Sequence, residues 1–426
     1  MKKGLFILIV TLVGMTACKK DKDKVENKRP SVERNYNFSN GVMPRNVLES
    51  YLSRAISLTE FVNSDGFYSD GPYLDKEDDK RMLKNIGAKF ISRALYSWGV
   101  EDRFNNPAFL NNAKAIMAEM HASDPDIIFQ GGIFEIVTPA VNTIPVPAWV
   151  LQEYGLAPAT RNFVYNDMIN LQGNGVGQWG AGSVPDISRT ETQMFFFFLA
   201  RQFMQAGIEA LHFGQVELMS MVDRNNNFSG WNNLLTRIRN AAKTVARRGT
   251  VICDGHMGSG GVVVDGKLIF DFVSFPLRIK EIGGEPQKGE LKKFFLDAIY
   301  GATNGGITPS GWACEQIPYL VEFDNYGISD HPGVASVTDH WVWGYDEITW
   351  FYHQPEIEKN EFLTYAQKWI NHIDKIGYLS MPGSRVVSLG GGQITRYRAN
   401  TNSATSSQGK NQEETIKKIW NNEQAN

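Results

Sequence analysis

Cysteine is nearly absent, with three in 426 residues. That is too few for a disulfide-stapled scaffold, and no C-x-x-C spacing links Cys18, Cys253 and Cys314, so a zinc ribbon or a dithiol redox centre has no support. Charge of one sign is missing as well. The 43 basic and 46 acidic side chains give a net charge of −3, spread along the chain, and no field that would gather a phosphate backbone, so nucleic-acid binding is not expected. The one long uncharged apolar run near either end, 4–17, is shorter than the roughly 18–20 residues a spanning helix needs, which leaves no mature transmembrane helix. Familiar catalytic signatures are lacking too. His121, His212, His256, His331, His340, His353 and His372 form no HxH or HExxH pair, and no G-x-S-x-G occurs. The stretch 175–180 matches G-x-G-x-x-G literally, but no apolar strand precedes it and Pro185 follows where a helix would start. The glycines at 258–261 lack the Gly-Lys-Ser/Thr ending of a phosphate loop.

What is present begins with Lys2 and Lys3, an apolar stretch 5–13, and Met15-Thr16-Ala17-Cys18. This segment resembles a bacterial lipoprotein signal peptide, which implies removal of 1–17 and lipidation of Cys18. The charged stretch 19–28, without aromatics, cannot bury a core and reads as part of a solvated tether over 18–40. Similar charged residues follow the cysteine in surface-displayed lipoproteins of Bacteroidota. The resemblance implies a cell-envelope location on the outer membrane, periplasmic or surface-facing, with membrane contact through the N-terminal lipid alone. For Cys253 and Cys314, two buried free thiols are expected ahead of a single bridge.

The rest is 42% apolar and 12% aromatic, enough for a large core. From about residue 80, amphipathic stretches alternate with short apolar runs, the pattern of strands joined through helices into a parallel sheet. The runs are 88–95, 126–133, 162–165, 208–214, 250–253, 268–273, 319–323 and 376–381, with helices expected at 76–85, 107–121, 148–154, 188–206, 231–248 and 355–372. The four phenylalanines 195–198 exceed one helical face and imply a helix packed on several sides. Eight such units predict an α/β fold, a (β/α)8 TIM barrel over 41–390 with elaborated loops after its third, fifth and sixth strands, in preference to an open doubly wound sheet. The polar segment 391–426, with a short helix-like stretch at 413–420, reads as a surface or partly disordered tail.

In a barrel the C-terminal strand ends share one pocket. Glu217 follows the fourth run, and Glu322 and Asp324 end the seventh. Period-two alternation puts Gln215 with Glu217, and Glu322 with Asp324, on one face each. Glycoside hydrolysis needs two carboxylates flanking the scissile bond. The arrangement resembles clan A of the retaining glycoside hydrolases, whose acid/base ends strand four and whose nucleophile ends strand seven. That resemblance implies Glu217 as acid/base and Glu322 as nucleophile, a carbohydrate substrate, and no metal or other cofactor. The clan's usual asparagine before the acid/base is Val216 here, with Gln215 placed to supply an amide contact. Further pocket candidates are Arg93 in the first run, Glu135 after the second, Asp167 after the third, His212 in the fourth, and Asp254 and His256 at the fifth. Trp341, Trp343 and Tyr345 form an aromatic group suited to stacking on a sugar face. The competing readings are a non-catalytic glycan-binding lipoprotein and a metal site of Asp254, His256 and Asp324.

Overall fold

The computed structural model describes residues 34–63, 75–171, 173, 175–336 and 340–425. Cys18, the signal-like segment and most of the tether lie outside the described residues. Eight parallel strands close on themselves: β1 (Ala55–Leu58), β2 (Phe90–Leu95), β3 (Ile128–Gly132), β4 (Ala210–Gln215), β5 (Ile252–His256), β6 (Val273–Pro276), β7 (Tyr319–Glu322) and β8 (Gly377–Leu379, continuing as Met381–Gly390). Closure comes from β8, whose start pairs with β7 through Tyr319 and Gly377 and whose continuation pairs with β1 through Ile56 and Met381. The fold is a TIM barrel.

The expected helices are present as α1 (Lys76–Ile86), α2 (Pro107–Ser123), α3 (Thr190–Ala206), α4 (Ser229–Val245) and α5 (Glu356–Ile373). Local chemistry sets their ends. Glu77, Asp78 and Asp79 occupy the first turn of α1, and Gly87 closes it at φ 73°. In α2, Asn106 caps by accepting from the Ala108 N–H, with Pro107 at the first helical position. Phe195 to Phe198 on α3 are all buried. Phe196 packs on Phe213 of the barrel wall, Phe195 on Phe163, and Phe197 and Phe198 on Trp149. One helix thus faces the barrel and a covering loop layer together.

Five sequence expectations are corrected. The run 162–165 is not a strand: Asn162 makes one isolated bridge to Pro145, and Tyr165–Met168 is a helical turn in the insertion after β3. The barrel's true first strand, β1, follows a preceding helix, Arg45–Leu52, with only Ser53 and Arg54 between them, so no turn residues announce it. The sixth strand starts where the run 268–273 ends, because Asp271 sits in a bend, accepting from the Cys253 N–H and from Arg239. The polar segment after 390 is part of the fold. β9 (Gln393–Arg398) pairs antiparallel with β8, and α6 (Glu413–Ala425) buries Ile416 and Trp420 while Glu413 accepts from Arg81 and Asn85 of α1. At the other end, Phe38 is already buried against Tyr51, so the fold reaches into the expected tether.

The loops expected after the fifth and sixth strands are long, the one expected after the run 162–165 lies within the connection from β3 to β4, and among the described residues no helix separates β5 from β6 or β6 from β7. Small hairpins stand there. Cys253 and Cys314 are free thiols, the first buried and the second half-buried. No described helix is long and apolar enough to cross a membrane.

Candidate active site

Glu322, the last residue of β7, is buried at the C-terminal mouth of the barrel. Arg93 of β2 forks onto it: Nε donates to Oε2 at 2.8 Å and Nη2 donates to Oε1. Reaching Glu322 from across the barrel needs an unusual backbone. Arg93 sits at φ 57° inside a strand whose register with β3 shifts between Ile91 and Leu95. Strain of this kind persists where surrounding structure fixes it, and it gathers at functional sites. His256, the last residue of β5, donates from Nε2 to Glu322 Oε1 at 2.8 Å. Arg385 of β8 lies with Nη1 3.7 Å from Glu322 Oε2, while the same guanidinium donates to Ser57 and Asn325.

These neighbours decide the charge state. Burial alone would raise the Glu322 carboxyl, but the Arg93 charge and the hydrogen bonds from His256 and Arg93 outweigh it and hold the group well below its ordinary value. Burial would lower His256, yet its bond to Glu322 raises it. Burial, followed by the Arg93 charge, pulls Arg385 below the ordinary guanidinium value.

A second layer lies one step deeper. Asp254 of β5 accepts from Gln130 Nε2 at 2.7 Å, from Ser274 Oγ at 2.8 Å and from His212 Nδ1 at 2.9 Å. The His212 and His256 rings meet edge to face, with centroids 5.0 Å apart.

The β3 and β4 side carries two more carboxylates. Glu135 is buried; Oε2 accepts the Gln215 N–H at 2.9 Å and Oε1 accepts from Gln215 Nε2 at 3.2 Å. Gly214 makes this approach feasible, since a Cβ there would stand 1.9 Å from Glu135 Oε2. Glu217 sits differently from its expected place. The strand ends at Gln215 and Val216–Met219 is a helical turn, so period-two alternation stops before Glu217. Its side chain is 30% exposed, accepting from the Ser259 N–H at 2.7 Å and facing Arg224 at 3.5 Å.

Of the remaining candidates, Asp324 is partly exposed beside Arg278 at 3.6 Å; burial would raise it, and the Arg278, His256 and Arg93 charges lower it. Trp341 lies over Tyr326 and His340, with centroids 5.0 and 4.6 Å away, and keeps an exposed side. Trp343 is no open platform: it is buried, with its indole N–H donating to the Lys288 carbonyl. Tyr345 is half-buried against His353. Asp167 is exposed in the insertion after β3. Arg385, Gln130 and Ser274 were not anticipated. Arg385 is hard to find by alternation, because the pairing of β8 with β1 slips by one residue between Pro382 and Ser384.

Asp254, His256 and Asp324 are not the trio that the fold gathers around a metal-sized space. Asp254 is spent on the deeper layer and Asp324 on Arg278. Among the described residues, His212, His256 and Glu322 have potential ligand atoms within 4.8 Å of one another. Arg93 and Arg385 already supply positive charge to this carboxylate, so a further cation there would meet like charge at close range.

No family model and no curated protein matches the chain. Solved structures do. A cyclic α-maltosyl-(1→6)-maltose hydrolase from Arthrobacter globiformis shares 11% identity at a TM-score of 0.46, over 88% of this chain and 84% of that one. Amy13B from Eubacterium rectale shares 9% at 0.45, over 90% and 80%. A trehalulose synthase mutant shares 9% at 0.28, over 49% of this chain and 45% of that one, so the match spans less than half of that synthase. The barrel assignment therefore rests on the closed strand pairing above, and the substrates of these proteins stay with them.

Proposed function

We propose that this chain hydrolyses a glycosidic bond in a carbohydrate at the C-terminal mouth of its barrel. Glu322 acts as the ionised carboxylate and a carboxylate on the β4 side acts as acid/base. The observation that carries the reading is the Glu322 clamp: a buried carboxylate kept ionised by Arg93 and His256 at the end of β7. A nucleophile that attacks an anomeric carbon must be anionic at neutral pH, and an oxocarbenium-like transition state gains from an adjacent negative charge. Glu217 is the assigned acid/base, since it alone among the β4-side carboxylates reaches solvent, from which a leaving group departs. Glu135 is its rival, buried one strand away.

The second reading, glycan binding without turnover, is favoured by one fact. Both Glu322 oxygens already accept strong hydrogen bonds, which reduces their reach for carbon. The lipid anchor at Cys18 belongs to this proposal as an envelope location and stands independently of the chemistry.

The test is release of p-nitrophenol by the full chain from a panel of α- and β-linked aryl glycosides. Expected is turnover of at least one member, abolished by Glu322→Gln. Glu217→Gln is expected to slow release while azide restores it; restoration in Glu135→Gln instead would move the acid/base to Glu135. Saturable glycan binding with no turnover of any member would replace hydrolysis by the second reading.

A further inference from the structure

The proton on the His212 ring can be placed by following the hydrogen bonds that meet it. The Arg93 backbone N–H donates to Gln130 Oε1 at 3.1 Å, which fixes the orientation of that amide and turns its Nε2 donor toward Asp254 Oδ1. Asp254 therefore accepts. It accepts again from Ser274 and from His212, so the His212 proton sits on Nδ1. In the neutral ring this leaves Nε2 as a lone pair. That atom is buried, on a residue only 2% exposed, and has no hydrogen-bond partner in the structure. A buried acceptor without a donor costs about 1–3 kcal/mol, and such orphans are commonly completed by something that binds.

The surrounding groups narrow what that is. Phe134 covers one side of the imidazole at 5.7 Å and has no donor. His256 Nε2 and the Arg93 Nε and Nη2 donors are engaged by Glu322. A cation would lie beside Arg93 and Arg385. What fits is a neutral O–H donor on the Glu322 side, where potential ligand atoms of His212, His256 and Glu322 lie within 4.8 Å of one another.

We propose that His212 Nε2 is the acceptor for one hydroxyl of the sugar ring whose anomeric carbon faces Glu322, with Asp254, Gln130 and Ser274 holding the imidazole in the accepting tautomer. This rests on the glycan reading above and goes beyond it. It makes one hydroxyl a strict requirement, because a site built around a hydrogen bond rejects an analogue that lacks the partner far better than a pocket wall rejects a changed shape. Asp254 is then a positioning residue, acting on the sugar only through His212.

The experiment is a cycle between residue and hydroxyl. The aryl glycoside turned over best by the full chain and its monodeoxy derivatives are compared on wild type, His212→Ala and Asp254→Asn. Expected is a loss of about 10²-fold in kcat/KM for His212→Ala on the parent glycoside, vanishing on the one derivative that lacks the matched hydroxyl. Asp254→Asn shows the same selectivity at smaller size, with a changed pH profile. Equal losses on every derivative overturn the proposal while leaving hydrolysis intact.

A second measurement does not depend on the variants folding or on turnover. In long-range ¹H–¹⁵N spectra of the ¹⁵N-histidine-labelled full chain, His212 is expected as the Nδ1–H tautomer, with an Nε2 resonance that shifts when the turned-over glycoside is added. Where no glycoside is turned over, glucose, galactose and mannose are the probes. A shift without turnover upholds the site and sinks the hydrolysis reading. No shift with any probe, the other tautomer, or a stoichiometric transition metal bound at Nε2 overturns the proposal.

Discussion

Two carboxylates at the same end of this barrel are both fully buried, and they settle in opposite states. Glu322 is held well below its ordinary value, whereas burial pushes Glu347 up to about 8. The difference lies in how many donors each can claim. Glu322 receives the whole Arg93 fork, a His256 hydrogen bond and the nearby charge of Arg385. Glu347 has one cation beside it, Arg278 with Nη1 at 3.1 Å, and Arg278 is shared with Asp297 and Asp324; Glu347 Oε2 is buried with no partner. Burial is common to both, so burial alone predicts neither state. The count of unshared cations does.

Breaking that asymmetry at Glu322 has the largest expected effect. Arg93→Ala leaves a buried carboxylate short of its main counter-charge and should destabilise the fold by about 3–5 kcal/mol, measured by urea unfolding. Glu322→Gln should approach this, since it orphans Arg93. Because the folded value of Glu322 is depressed, its stabilisation is present above the ordinary carboxylate value of 4.5 and is lost as pH falls through the folded value. The acid limb of the stability profile should therefore shrink in Glu322→Gln. An unchanged Arg93→Ala protein would mean that Arg385 and His256 suffice to hold the carboxylate.

Glu347 tests the other half with the opposite sign. Its folded value of about 8 lies above the ordinary 4.5, so its contribution is complete at low pH and is lost as pH rises toward 8. The stability difference between wild type and Glu347→Gln should slope downward with rising pH across that window. A flat difference would mean that Arg278 keeps Glu347 ionised after all.

The parts of this contrast that could be read in the sequence are those set by local pattern. Apolar runs and helix signals located six of the eight barrel strands and the approach to the sixth in order, and a missed β1 and a false strand at 162–165 offset each other. The runs at 208–214 and 319–323 thus kept their barrel numbers, and Glu322 fell at the end of β7. What could not be read is long-range. The Arg93 to Glu322 pair spans β2 to β7, and the αL backbone that aims Arg93 has no glycine to mark it. Glu217 was misplaced in face because a strand turned into a helix within one residue. The tail after 390 looked solvated because its polar side chains are satisfied internally, with Glu413 on Arg81 and Arg398 on Asp79.

A smaller effect is expected at the joint between β4 and Glu135. Gly214→Ala places a Cβ on the Glu135 carboxylate at a φ of 33° that L-residues rarely adopt. Moving Glu135 breaks both of its bonds to Gln215, so a loss of about 1–3 kcal/mol is expected, with Glu322 and its clamp undisturbed. Equal loss of turnover in Gly214→Ala and Glu135→Gln would show that Glu135 takes part in the site beyond bracing the strand.

Glu217 should give the smallest change in stability and the most informative one. Its carboxylate is part-exposed, its pairing with Arg224 is long, and exposed ion pairs contribute about 0–1 kcal/mol. Glu217→Gln also keeps an oxygen for the Ser259 N–H. Unfolding midpoints of wild type and Glu217→Gln should therefore nearly coincide, so a loss of turnover in this variant cannot come from the fold and must come from the lost proton. Glu322→Gln lacks that property, since its loss mixes chemistry with the orphaned Arg93. If Glu217→Gln turns over the aryl glycoside like wild type, the acid/base lies elsewhere, and the difference between an exposed carboxylate and a clamped one reflects burial and not division of labour.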